Sequence, residues 1–300
     1  MWASDHVVID GNTVVLAGNG GIQECISVAS TDTFEIKNNE VDQCQKESID
    51  AKDGASNGKV YRNHVHDGRA VGIYVDAWDK HTFNIEVFQN VVHDIFDASG
   101  FVVASETGGL LENVSVYNNI AYHNRYVGIV VSVNGPGGAQ GQRPMNGIYL
   151  INNTLYNNGW QTWGGGILVE NPHAQNVVIR NNIAGQNLYF QMAVDPSVTQ
   201  TVTIDHNLID GYRGTEGETY GSAYVTGNPL FVYAAGADFH LQGSSPAVDA
   251  GSASGAPSND FDGTLRPQDG DDDGAANYDI GAYERPHFTV WVYLPTVTKH

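Results

Sequence analysis

Cysteine, basic residues and long apolar runs are all scarce in this chain, and each shortage excludes something. Only Cys25 and Cys44 occur in 300 residues, so neither a disulfide-stapled scaffold nor a multi-cysteine metal centre is available. Lys and Arg number 14 against 34 Asp and Glu, a net charge of −20, which argues against nucleic acid and anionic membranes as partners. No apolar stretch approaches the roughly 20 residues of a membrane-spanning helix. No secretory leader precedes the strand-like run Val7-Val8-Ile9, so the chain is expected to be part of a longer, secreted bacterial precursor. Cys25 and Cys44 fall on neighbouring repeats but at different repeat positions, and are expected to stay unpaired.

What is present is a repeating asparagine: Asn12, Asn39, Asn63, Asn90, Asn119, Asn153, Asn182 and Asn207. An apolar residue stands three positions before each and another small or apolar residue two after, as in Val87-Asn90-Val92. The spacings are 27, 24, 27, 29, 34, 29 and 25 residues. A period in that range without helical periodicity marks a solenoid of stacked rungs, about 34 Å long for seven intervals. At a tight bend asparagine tolerates left-handed backbone, and its amide can bond the same residue on the next rung.

A second strand follows each asparagine, usually ten residues on, at Ile22, Ile49, Ile73, Ile129 and Met192, with Phe101 and Ile167 slightly later. Met192 keeps this register although Gln186 to Met192 resembles a protease-recognition tag. Alternation turns Ile73 and Val75 inward and leaves columns facing water. One column reads Gln23, Asp50, Tyr74, Val102, Val130, Leu168 and Ala193; the next reads Cys25, Lys52, Asp76, Ala104, Ser132, Glu170 and Asp195. A third includes Trp78, Glu106 and Asn134. Insertions at Gly135 to Arg143 and at Gly159 to Gly165, the latter with Trp160 and Trp163, are expected to wall a groove over this sheet.

Asp76 and Glu106 are the leading catalytic candidates. One rung and two strand residues separate them, about 8 Å between α-carbons. A carboxyl pair facing one groove at that range can flank a glycosidic bond, one protonating the leaving oxygen while the other attacks or activates water. Glu170 and Lys52 are further catalytic candidates, and Asp50, Tyr74, Trp78, Arg125, Asn134, Trp160 and Trp163 are candidate substrate contacts, the tryptophans as platforms for sugar faces. The same residues allow a polysaccharide lyase, with Lys52 as base, Asp50, Asp76 and Asp79 holding Ca²⁺, and Arg69 or Arg125 binding a uronate. His66-Asp67, His93-Asp94 and His123 recur three or four residues after the asparagine and read as a bend motif, with no converging metal ligands.

Residues from about Asp10 to Asp210 resemble the right-handed parallel β-helix repeat proteins of carbohydrate-active and secreted type, notably Asp50 to Gly54, Asn63 to Asp67 and Gly72 to Trp78. Gly72-Ile73-Tyr74-Val75-Asp76 is similar to the nucleophile strand of a β-helix glycosidase family that includes β-xylosidases. That resemblance implies Asp76 as nucleophile and a next-rung glutamate as acid/base, for which Glu106 is the match, set farther along the strand. The paired aspartates of calcium-dependent β-helix pectate lyases are absent, with Ala70 and Val71 in their place, and Val102 stands near their lysine. The tail from Asn228-Pro229-Leu230-Phe231 to Asp279-Ile280-Gly281-Ala282-Tyr283-Glu284 resembles the C-terminal segment of bacterial choice-of-anchor Q proteins, and reads physically as a cap over a solenoid end. Within it, Asp269, Asp271 and Asp273 alternate before Gly274 as in a calcium loop, with Ile280 excluding an EF-hand.

The sequence therefore predicts an all-β, right-handed parallel β-helix of about eight rungs over residues 1–225 and a capping or anchor-type segment over 226–300. The expected function is cleavage of glycosidic bonds in a polysaccharide or oligosaccharide, by a monomeric extracellular or cell-surface enzyme without a catalytic cofactor and with a structural Ca²⁺. A Ca²⁺-dependent lyase and a non-catalytic carbohydrate-binding surface module are the alternatives.

Overall fold

Short β-branched runs punctuated by Asn, Asp and Gly give each repeat three strands of three to seven residues, too short for anything but stacking on their neighbours. The computed structural model describes residues 2–18, 20, 23–133, 142–161 and 163–287. Three parallel sheets run along the coil. Sheet I has eight strands, from Asp5–Asp10 to Val202–Asp205; sheet II has nine, from Thr13–Val15 to Val225–Thr226; sheet III has seven, from Ile26–Ala29 to Phe190–Val194. The chain thus makes about seven right-handed turns, with an eighth begun by Val202–Asp205 and Leu208–Asp210. Ile36, Val60, Val65, Ile73, Val75, Val103, Ile129 and their equivalents fill one continuous core between the sheets.

The asparagines form the expected ladder. The Asn63 backbone N–H and Nδ2 both donate to Asn90 Oδ1, at 3.0 and 2.9 Å, and the Asn90 pair does the same to Asn119 Oδ1. The pattern runs from Asn12 to Asn207. Left-handed geometry, however, belongs to the preceding residue: Asn38, Arg62, Gln89, Asn118, Asn152, Asn181 and His206 have φ of 51 to 56°. The ladder asparagine is thus selected for its amide alone. A second, shorter ladder of Asn124, Asn158 and Asn187, closed by Gln191, was not read from the sequence.

Register in the first turn differs from the sequence reading. Ile26 pairs with Ile49 and Ala29 with Lys52, so Ser27 and Ala29 occupy the columns assigned to Gln23 and Cys25, and Ile22 lies outside the described residues. Displacement of Cys25 from the strand into the preceding bend lets it form a disulfide with Cys44, whose Cα is 6.2 Å away. The expectation of unpaired cysteines rested on the wrong register.

Residues 211–226 cover the last rung: Thr219 N bonds Met192 O and Ser222 N bonds Ile204 O. The segment from 226 to 287 instead lies along the flank of the coil, on sheet II. Phe231, Phe239, Leu241, Val248, Ile280 and Tyr283 pack over Ile120, Ile183 and Leu208. It is anchored by the left-handed corner residues. Gln89 donates to Asp260 O, Asn118 to Asn259 O, Asn152 to Asp279 O and Asn181 to Ser252 O, at 2.7 to 2.9 Å. The segment hides apolar strand residues, as a cap must, but on the side of the coil.

Asn90→Ala removes the acceptor for Asn63 and the donors to Val60 O and Asn119 in a fully buried setting. A loss of about 3 kcal/mol is expected, read as a lower denaturant midpoint at unchanged slope. Asn12→Ala, at the exposed end of the ladder, should cost well under half as much.

Candidate active site

Sheet III carries the chemistry because its outward positions stack acids on adjacent rungs. Asp50 pairs with Tyr74, Asp76 with Ala104, and Ala104 with Ser132. Glu106 follows Ala104 by two residues, so it faces the same side as Asp76, one rung on. This is the placement the sequence predicted. Tyr74 reaches across to donate its hydroxyl to Glu106 Oε1. Lys52, directly below Asp76 in register, is held between Glu24 and Asp50, with Nζ 3.1 Å from Asp50 Oδ2. Glu24, in the irregular bend before the first strand of this sheet, has no repeat position that could have revealed it.

All three carboxyls are withdrawn from water: Asp50 is 1% exposed, Asp76 3% and Glu106 8%. One oxygen each of Asp50 and Asp76 is buried without a hydrogen-bond partner. Burial, followed by the charges of Asp50 and Glu106, pushes Asp76 far above the ordinary carboxylate range. Asp50 is raised by burial against the pull of Lys52. Glu106 is also raised by burial, but the Tyr74 hydroxyl opposes the shift by bonding its charged form. Burial disfavours the Lys52 charge, yet Asp50 and the hydrogen bond to Glu24 outweigh it and hold the ammonium above its usual value.

The outer face beyond this cluster is less exposed than alternation implied. Tyr74, Val102, Val130 and Ala193 are each at most 6% exposed, packed with Val71, Val127 and Phe190 in a small core of their own. The reason is that the bends leading into each strand of sheet III fold back over it. Two clefts open between these bends. One of about 270 Å³ lies over Val102, Val130 and Ser132; one of about 470 Å³ reaches Tyr189, Phe190 and Asp195. They share Trp163, Leu168 and Glu170, making one groove along the coil axis. A larger cleft of about 770 Å³ lies elsewhere, between sheet I and residues 255–263, and holds no comparable acid cluster.

Other sequence candidates scatter. Glu170, bonded by Ser132 Oγ at 2.6 Å, is three rungs from Asp76 and lines the groove instead of joining the acid group. Trp163 stands over the groove, edge-on to Phe190, whereas Trp160 stacks on His123 on the sheet II side. Trp78 is 42% exposed beside the acids. Arg125 lies over the Tyr126 ring with Nη1 3.7 Å from Asp97. Asn134 and most of the insertion from Gly135 lie outside the described residues. Tyr189 and Phe190, from the tag-like stretch, are groove residues the sequence reading did not select. In the C-terminal segment, carboxylate oxygens of Asp249, Asp269 and Asp271 lie within 4.8 Å of one another. Asp273, expected there, instead accepts from Ala275 N; Asp249 is brought in by the fold from 20 residues upstream.

A family model described as the right-handed β-helix region matches residues 1–141. No curated protein sequence matches the chain significantly. Among solved structures, the chain is similar to the pectate lyase Pel9A, with 14% identity, TM-score 0.53, and coverage of 93% of this chain and 88% of that one. It is also similar to a protein described as a glycoside hydrolase, with 13% identity and TM-score 0.51 over 68% of this chain; it spans only 37% of that protein's length. At these identities the likeness concerns the fold, and the described neighbours are β-helix carbohydrate-active enzymes.

Carboxyls that stay protonated in the folded state and ionise on unfolding make stability fall as pH rises. The fall begins near the ordinary Asp value of 3.8 and continues toward the raised folded value, because the folded state binds more protons. Asp76→Asn removes one such group. Thermal melts from pH 4 to 8 should show a shallower decline for the variant, with the variant equal to or more stable than the parent at pH 8.

Proposed function

We propose that the chain hydrolyses glycosidic bonds with Asp76 and Glu106. The observation that carries this reading is the group of three nearly dry carboxyls on adjacent rungs of sheet III, two of them with an unpartnered oxygen. Burying such groups costs stability, and clusters of this kind are characteristic of acid–base sites. Two carboxyls whose surroundings push them apart divide the roles. Asp76 holds its proton and gives it to the leaving glycosidic oxygen as the C–O bond breaks. Glu106, its charge supported by Tyr74, acts at the anomeric carbon, directly or by taking a proton from water. This assignment inverts the one implied by the β-xylosidase-type resemblance, because Asp76 is the more deeply buried of the pair. Lys52 is ion-paired and charged, which removes the base that a lyase would need. The groove with Trp163, Leu168 and Glu170 supplies sugar-binding subsites along the coil axis.

Asp76→Asn and Glu106→Gln should each lower kcat at least 10³-fold on a cleaved polysaccharide, with melting temperature within a few degrees of the parent. Products should show new reducing ends and no absorbance of unsaturated uronate. Full turnover in either variant, or an unsaturated product, would overturn the reading.

For the C-terminal segment we infer a structural calcium ion held by Asp249, Asp269 and Asp271. The donors are all oxygen, as Ca²⁺ requires, and Asp269 Oδ1 is buried without a hydrogen-bond partner. Calorimetry in calcium against chelator should show a higher unfolding temperature with calcium; identical traces would exclude the site.

A further inference from the structure

Sheet II carries a second cluster that plays no part in that chemistry. Glu40 pairs with His64 and His66 with His93 on three successive strands, Glu40–Asp42, His64–His66 and Val91–His93. Residues two apart on a strand share a face, so all four side chains project from the same patch. The rings lean diagonally toward one another. His64 Nε2 is 2.9 Å from His93 Nε2, and His66 Nε2 is 3.5 Å from Glu40 Oε1. Ligand atoms of Glu40, His64 and His66 all lie within 4.8 Å of each other. The sequence offered His66 and His93, with His123, as a repeated bend motif and did not include His64; the lean of the rings is what brings His64 and His66 together with Glu40.

We propose that Glu40, His64 and His66 form a binding site for a zinc-class divalent metal ion, with His93 beside it as the hydrogen-bond partner of His64. A tetrahedral ion with bonds of about 2.0–2.1 Å to nitrogen has ligand–ligand edges of roughly 3.3 Å, close to the 3.5 Å between His66 Nε2 and Glu40 Oε1. Two imidazoles and one carboxylate suit zinc, copper or nickel and not calcium, and leave a fourth position to water.

The surrounding hydrogen bonds support the same reading. His66 Nδ1 is 2.8 Å from Asp67 Oδ2, and His93 Nδ1 is 2.6 Å from Asp94 Oδ2. A carboxylate on Nδ1 fixes the proton there; in His66 this leaves the Nε2 lone pair free, the arrangement usual behind metal-bound histidine, and in His93 it leaves Nε2 to accept from His64. His66 Nε2 is buried with no hydrogen-bond partner, while His64 and Glu40 remain accessible, which leaves an entry path.

Isothermal titration of the full chain with Zn²⁺ should give one site with a Kd of micromolar or below. His66→Ala and His64→Ala should each weaken it at least 100-fold, and Asp67→Asn about 10-fold through loss of positioning. His81→Ala, in the bend just before the sheet I strand Thr82–Phe88, should leave it unchanged. Co²⁺ loading should give the strong visible bands of tetrahedral coordination in the parent and not in His66→Ala, with circular dichroism confirming that each variant is folded. Binding weaker than millimolar, or equal in parent, His64→Ala and His66→Ala, overturns the proposal.

Discussion

Everything in this molecule depends on the bond between an asparagine amide and its counterpart on the next rung. A parallel coil has no hairpins to set register, and a slip of one residue would turn core side chains out to water. The ladder prevents this with a buried amide whose Oδ1 accepts from the asparagine of the adjacent rung: Asn63, Asn90, Asn119 and Asn153 are each at most 2% exposed. Because that contact fixes one point per turn, the length between points is free to vary, and insertions collect at bends without disturbing the sheets.

Fixed register also makes like residues vertical neighbours, and the three outer faces manage this differently. On sheet I, Tyr61, Phe88 and Tyr117 stack with ring centroids 4.8 and 5.0 Å apart, and Lys37 and Lys59 neutralise Glu35 and Glu86. On sheet II, His66, His93 and His123 take carboxylate partners, Asp67 for the first and Asp94 for the other two. On sheet III the acids are stacked with a single lysine among them and then covered, an arrangement that opposes folding and is retained where proton chemistry is proposed.

The C-terminal segment solves a separate problem. Ile120, Ile183 and Leu208 point outward from sheet II and would leave an apolar stripe in water. The segment covers them, and the Asp279 to Glu284 motif is its innermost part, with Ile280 and Ala282 fully buried. Arg266 enters the same interior to pair with Glu284 at 2.8 Å and to donate to Gly281 O. A buried charge of that kind survives only with its partners in place, so the flank packing is specific.

The sequence by itself determined the coil. Period, ladder asparagines, strand alternation and the Asp76–Glu106 juxtaposition are all legible, because each is a local pattern repeated at a near-constant interval. Tertiary structure decided whatever depends on a bend or a side-chain direction. The missing register of the first turn concealed the Cys25–Cys44 pairing, and Glu24 and Asp249 come from segments with no repeat position. Trp160 and Trp163 are close in sequence yet face different sheets. His64 and His93 meet only because their rings lean across the pleat. Periodicity fixes where a Cα lies in a repeating lattice; it carries no information about loops outside that lattice or about rotamers, and those are what complete a site.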